Sequence, residues 1–383
     1  MIYYLLPNVN TYVYKKLNCQ VSDTTTQTCI NPSLSEYLQK VKLKINSHEK
    51  EWDIYKKFTN PYEYINTICN QYNLCVSKYK PLSRSFFKMI ELIHVFDLIK
   101  QPTPIKSFHL AEGPGGFIEA VVRERKNGSD YYVGMTLMDN NNDPNIPSWK
   151  KSEVFLKQNK NVFIETGSTG TGDLLNIDNF DSVVKKYHNS MHLVTADGGF
   201  DFSTDFNNQE NTIFKLLMAQ ACYAICTQIE GGAFVLKLFD CFLSNTVDLL
   251  YLLSSCYNQV YITKPQTSRY ANSEKYIVCR GFRNNIHIPL IRHTLYTVIN
   301  SNHINRLFTF DIPNHFISKM EEYNAIFGQQ QLENINSTIR FIESKTKNEK
   351  IDSLIQINLS KCVKWCSKHN IEHNVFQRQN CFT

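Results

Sequence analysis

The sequence predicts an α/β fold: a mostly parallel sheet of seven strands with one antiparallel strand, helices on both faces, and mainly helical additions at the two ends. Two observations predict it. From about residue 106 to residue 283, short apolar runs alternate with helical patterns, the rhythm of strand–helix–strand units. The last two runs are separated by only about ten residues, too few for a parallel crossover through a helix, so that pair should be antiparallel.

Taken in order, residues 1–80 show no regular alternation and are rich in Asn, Thr, Tyr and Lys, which marks an accessory segment with short helices. From Ser83 to Lys100 the apolar residues Phe86, Met89, Ile90, Ile93 and Phe96 recur at spacings of three and four, and the prolines of Gln101–Pro104 end that helix. The runs FHLAEG, YYVGMTL, NVFIETG, HLVTADG, GAFVLKLF, QVYITKP and YIVCRGF read as strands. Helices are predicted over Phe117–Lys126, Asn211–Thr227 and Thr246–Cys256. Beyond about residue 290 the pattern is polar and helical. The expected division is an accessory segment at 1–80, a central domain at 81–285 and a helical extension at 286–383.

A chain of 383 residues can bury a full core without staples. With 42% hydrophobic and 20% charged residues, wholesale disorder is excluded. Lys and Arg number 41 against 35 Asp and Glu, a formal charge of +6 that permits a polyanionic partner without demanding one. No run approaches the roughly 18 apolar residues of a membrane span. Pro7 breaks the apolar start, which lacks a basic leader, so an intracellular, cytoplasmic protein with reduced cysteines is expected.

In an open parallel sheet ligands bind beyond the carboxyl ends of the strands. Four features converge there. AEGPGGF (111–117) follows the first strand and opens a helix, so Gly113, Gly115 and Gly116 let the backbone approach a ligand. It lacks the full G-x-G-x-x-G spacing, and no triphosphate loop is present, which disfavours ATP hydrolysis. GTGD (170–173) offers Asp173 to a nucleoside, or as a helix cap. TADGGFD (195–201) places Asp197 at the cleft, although Asp-Gly-Gly is also an ordinary turn. Lys237, inside the apolar GGAFVLKLFD, needs a partner unless it snorkels, and Glu274 precedes the last strand. Lys88 on the preceding helix adds a cation.

These residues carry a resemblance. FFK (86–88), GPGGF (113–117), GMTL (134–137), TADGGF (195–200), GGAFVLKLFD (231–240) and KPQTSRYANSEKYIVCRGF (264–282) resemble the FtsJ-like ribose 2′-O-methyltransferases. The branch most similar methylates the cap-proximal nucleotide of messenger RNA. The resemblance implies a Rossmann-like methyltransferase fold and a Lys88–Asp197–Lys237–Glu274 tetrad. It implies S-adenosyl-L-methionine held by Glu112, Gly113, Pro114, Gly115, Gly116, Phe117 and Asp197, with Asp173 contacting the nucleoside portion. The partner it implies is the capped 5′ end of mRNA, with other capping or transcription proteins around it. Large cytoplasmic DNA viruses encode compact proteins of this type, an origin this chain fits. Tyr270 departs from the Pro usual in the cap enzymes.

The transfer is an in-line displacement in which Lys237 is the candidate general base or, if protonated, a stabiliser of the forming alkoxide. Arg84, Lys264, Ser268, Arg269 and Asn272 are the expected RNA contacts, phosphate contacts among them. Cys362, Cys366, His369 and His373 fall at helical spacings. On one helix they would spread over about 16 Å, too far for one tetrahedral ion, so a half-buried helical face is the better reading. No metal is expected. The competing readings are a ribosomal RNA 2′-O-methyltransferase and a catalytically silent RNA-binding scaffold.

Overall fold

A computed structural model describes residues 1–24, 28–139, 148–199, 209–344 and 348–376. Its strands are β1 (Ile2–Leu5), β2 (Gln20–Ser22), β3 (Lys106–Leu110), β4 (Tyr131–Met135), β5 (Val162–Glu165), β6 (Met191–Ala196), β7 (Gln228–Leu238), β8 (Tyr257–Lys264), β9 (Lys275–Phe282) and β10 (His303–Arg306). The helices are α1 (Pro32–Leu43), α2 (Glu49–Thr59), α3 (Ser85–Phe96), α4 (Gly116–Arg125), α5 (Glu153–Gln158), α6 (Ile177–Tyr187), α7 (Gln209–Thr227), α8 (Ser244–Cys256), α9 (Ile288–Asn300), α10 (Asn314–Glu343) and α11 (Asn348–Lys368). All seven expected strands form.

The main sheet has eight strands in the order β1-β8-β9-β7-β6-β3-β4-β5, not seven. The added strand is β1, which pairs antiparallel with β8 through Ile2↔Lys264 to Leu5↔Tyr261. The accessory segment therefore contributes to the central sheet. As expected, β8 and β9 are antiparallel, and β9 is also antiparallel to β7. It is inserted between them, so the sheet contains two antiparallel strands, β9 inside it and β1 at its edge. A small second sheet joins the two accessory ends through the β2–β10 pair.

Alternation along the strands feeds two cores, one per face. On one face Phe108, Leu110, Phe234, Leu236, Ile277 and Cys279 pack with residues of α6 to α10. On the other, Tyr132, Val235, Tyr276 and Val278 meet Phe86 and Ile90 of α3, Phe117 of α4 and Trp365 of α11. Burial on both faces is why these strands read as continuous apolar runs. Helix α3 ends earlier than the sequence suggests, because Asp97 takes a left-handed conformation (φ 52°) and its N–H closes on Ile93.

Among the described residues no helix is long and apolar enough to cross a membrane. Cys222 and Cys226 are buried core residues, as are Cys362 and Cys366 of α11. His369 and His373 lie past that helix, where His369 Nδ1 is 2.8 Å from His94 Nδ1 and His373 Nε2 is 3.1 Å from Ser367 Oγ.

Candidate active site

Strand β3 is flanked by β4 on one side and β6 on the other, so the chain direction of connection reverses between β3 and β6. A crevice opens at such a point beyond the strand ends. The turn 111–115 leaves β3 there and the Asp197 segment leaves β6.

The glycines of the turn are required by close approach. Gly115 has φ 104°, and a Cβ on Gly116 would stand 2.2 Å from the hydroxyls of Ser83 and Ser85. The turn is thus pressed against the start of α3. A Cβ on Gly172 would lie 1.9 Å from the Thr136 carbonyl, which locks GTGD onto the end of β4. Asp173 caps its own turn, its Oδ1 accepting from Leu175 N at 2.9 Å, whereas Asn176 is the residue that caps α6. Phe200 and Asp201 of the TADGGFD run lie outside the described residues.

Glu112 is buried. One carboxylate oxygen accepts from Ile118 N at 3.0 Å, while among the described residues the other has no hydrogen-bond partner. Burial, and then the neighbouring Asp197 carboxylate, push its pKa well above the ordinary carboxylate range. The nearby His109 does not neutralise it. Burial drives that imidazole down to about 3, and its two nitrogens face Thr195 Oγ1 at 2.7 Å and Ser107 Oγ at 2.8 Å. An orphaned buried carboxyl oxygen beside a second carboxylate suits a ligand that brings positive charge. S-adenosyl-L-methionine, with a sulfonium and an ammonium, is such a ligand. The residues present fit it.

The four tetrad residues come together. Lys88, on α3, lies 2.8 Å from the Glu274 carboxylate. Lys237, near the end of β7, donates to the main-chain carbonyl of Asp197 at 2.6 Å and lies 3.3 Å from its carboxylate. Tyr276 of β9, inside the 264–282 motif, donates at 3.0 Å to Asp197 Oδ1, the carboxylate oxygen that Lys237 approaches. Burial would raise Glu274, but Lys88, Lys237 and Lys264, with the Lys88 hydrogen bond, overcome it and hold the carboxyl at about 2.

The expected RNA contacts sit differently. Lys264 is buried, and its amine donates to Asn272 O at 2.7 Å, Asn272 Oδ1 at 2.8 Å and the Glu274 carbonyl at 2.7 Å. With three donors spent it braces the 264–274 segment and has none left for a phosphate. Ser268 is buried too and donates to Glu274 Oε1 at 2.7 Å. Arg84 and Arg269 both pair with Glu63 at 2.8 Å. Asn272 is exposed, with its side-chain oxygen held by Lys264. Of the three cations expected at phosphates, Lys264 is thus spent inside the loop, whereas Arg84 and Arg269 pair with Glu63 and stay partly exposed.

The sequence pattern of the FtsJ-like methyltransferases matches residues 81–282. The cap-specific mRNA (nucleoside-2′-O-)-methyltransferase 2 of Pongo abelii is 30% identical over 292 residues, covering 71% of this chain and 37% of that protein. The cap-specific mRNA (nucleoside-2′-O-)-methyltransferase 1 of Mus musculus is 34% identical over 242 residues, 57% of this chain and 28% of its own. A Caenorhabditis briggsae protein named as an inactive cap-specific methyltransferase 1B is 28% identical, covering 69% of this chain and 33% of its own. The chain spans well under half the length of these curated relatives. Among solved structures, a ribosomal RNA methyltransferase from Plasmodium falciparum aligns over 52% of this chain and 98% of its own, at 18% identity and TM-score 0.37. The matched segment runs from just before α3 to the end of β9 and contains the whole tetrad and the glycine-rich turn. The chain belongs to the FtsJ-like methyltransferase family, whose methyl donor is S-adenosyl-L-methionine.

Proposed function

We propose that this chain transfers a methyl group from S-adenosyl-L-methionine to the ribose 2′-OH of a cap-proximal nucleotide of mRNA, the first transcribed nucleotide. One observation carries the reading: Lys88, Asp197, Lys237 and Glu274 stand as two ion-paired couples at the mouth of one sheet. The names of the relatives supply the substrate class. A silent scaffold has no physical need for two acid–lysine pairs at that place, one of them on the buried Glu274.

S-adenosyl-L-methionine supplies a methyl already activated by the sulfonium, so alignment and one proton are the remaining tasks. Lys237, fixed by the Asp197 carbonyl, meets the 2′-hydroxyl. In its amine form it takes the hydroxyl proton as the oxygen–carbon bond forms and the carbon–sulfur bond breaks. Glu112 and Asp197 offer negative charge to the cofactor. Glu274 anchors Lys88 beside the sugar and keeps a second cation near the developing oxyanion.

The test is transfer to short RNAs that are uncapped, capped, or capped and already 2′-O-methylated at the first nucleotide. Capped RNA should be modified, and prior methylation should block it. Transfer confined to the pre-methylated RNA would move the reaction to the second nucleotide, and transfer to uncapped RNA alone would overturn cap dependence.

A further inference from the structure

Helix α3 and the 264–274 segment are joined by two ionic bridges. The first is the tetrad pair Lys88–Glu274. The second runs from Arg84, the residue just ahead of α3, to the same loop, and its centre comes from elsewhere in the chain. Glu63 sits in a short 3-10 turn, Glu63–Ile65, ahead of the family-matched segment. Its carboxylate is 2.8 Å from Arg84 Nη1 and accepts from Arg269 through Nη2 at 2.8 Å and Nε at 3.1 Å. Arg84 donates again, to the loop carbonyl of Thr267 at 3.0 Å.

Glu63 is 0% exposed, while the two arginine side chains are 23% and 38% exposed. A buried carboxylate shared by two guanidiniums, one of them bidentate, fixes geometry as well as charge. Without it, the two cations would face each other stripped of the carboxylate they share. Burial acts to raise this carboxyl, and the Arg269 hydrogen bond and both guanidinium charges bring it down to about 2.

The turn around Glu63 is itself rigid. Tyr64 and Ile65 are buried, and their carbonyls accept from Val76 N at 2.8 Å and Ser77 N at 3.0 Å. It makes a second tie to the same loop, since Asn60 Oδ1 accepts from Tyr270 N at 3.0 Å. From α3, Glu91 adds a third by accepting from Gln266 N at 2.9 Å and Thr267 N at 2.8 Å.

We infer that Glu63 is a positioning residue for the methyl-transfer site: by clamping Arg84 to Arg269 it sets the spacing of α3 and the Glu274 loop, and with it the Lys88–Glu274 pair. The inference rests on the proposed 2′-O-transfer reading for its catalytic consequence, and on the loop contacts alone for its structural one.

The experiment compares the full-length protein with Glu63→Gln, which keeps shape and loses charge, and with Arg269→Lys, which keeps charge and loses the fork. Arg269 is the more exposed partner, so Arg269→Lys stands in if Glu63→Gln fails to fold. Three quantities are read: the single-turnover transfer rate at saturating RNA and cofactor, the cofactor Kd, and hydrogen exchange along the chain. Misplacement of reacting groups costs up to about 10²-fold in rate. The expected result for Glu63→Gln is a rate loss of that order with the cofactor Kd unchanged. Exchange should quicken in 265–274 and not in 113–117. Arg269→Lys should show the same pattern in milder form. A lower melting temperature with an unchanged rate per folded molecule would overturn the inference. If the unsubstituted protein transfers to none of the RNAs, the functional reading fails on its own. The inference is then decided by exchange: faster exchange confined to 265–274 supports it, and unchanged exchange there overturns it.

Discussion

Lys237 donates to the main-chain carbonyl of Asp197 at 2.6 Å, with the Asp197 carboxylate 3.3 Å away. The lysine is thus held by the strand that neighbours its own, in a parallel ladder that pairs Ala196 with Leu236. Removing the amine should cost about 10²–10⁴-fold in single-turnover methyl transfer, the range for loss of a proton-handling group. Lys237→Ala should leave the cofactor Kd unchanged by calorimetry, because the glycine-rich turn and Glu112 remain. A parallel loss of cofactor binding would show that Lys237 builds the pocket instead.

Glu112 is raised by burial and by Asp197, so without cofactor it favours its neutral form over a range where an ordinary carboxyl is ionised. A cationic ligand favours the carboxylate. Cofactor binding should therefore release protons, and affinity should strengthen as pH rises toward Glu112's raised pKa. Calorimetry in two buffers of different ionisation enthalpy measures the release, which Glu112→Gln should abolish.

Glu274 is depressed from the ordinary 4.5 to about 2. Its stabilising contribution is present above about pH 4.5 and is lost as pH falls through about 2, because the unfolded chain takes up the proton first. Denaturant unfolding at stepped pH should show this acid-side loss. In Glu274→Gln the slope between those pH values should be shallower by up to about 1.4 kcal/mol per pH unit, the value of one proton.

Tyr270 stands where the resembled enzymes have Pro, and its main-chain N–H donates to Asn60 Oδ1 at 3.0 Å. Asn60 is buried, so Tyr270→Pro would strand that oxygen. The expected cost is about 1–3 kcal/mol by urea unfolding. Tyr270→Phe keeps the N–H and should retain this bond.

The doubly buried strands were legible because apolar runs such as FVLKLF have nowhere else to go. The glycine-rich turn and the tetrad were legible because their residue types are fixed by close approach and by charge. Strand β1 was not: three of its four residues are exposed, and its partner lies some 260 positions away, so no local pattern marks it. Helix α6 could have been found, since Asn176 caps it and Phe180, Val183, Val184 and Tyr187 recur on one face. Glu63 and Glu91 could not, because a carboxylate that meets its arginine or loop amides only through tertiary packing looks like any surface acid. Sequence likewise shows the cations Arg84, Lys264 and Arg269 and hides the Glu63 carboxylate and loop carbonyls they meet.

Methylation of a ribose 2′-oxygen by the tetrad leaves a product that resists alkali. The most direct measurement is alkaline hydrolysis of capped RNA labelled with radioactive methyl by this protein, in parallel with Lys237→Ala. A methyl on the 2′-oxygen blocks attack on the adjacent phosphate, so label should appear in an alkali-stable fragment carrying the cap, with at most about a hundredth as much from Lys237→Ala. Label in alkali-labile nucleotides, or equal labelling by Lys237→Ala, would contradict it.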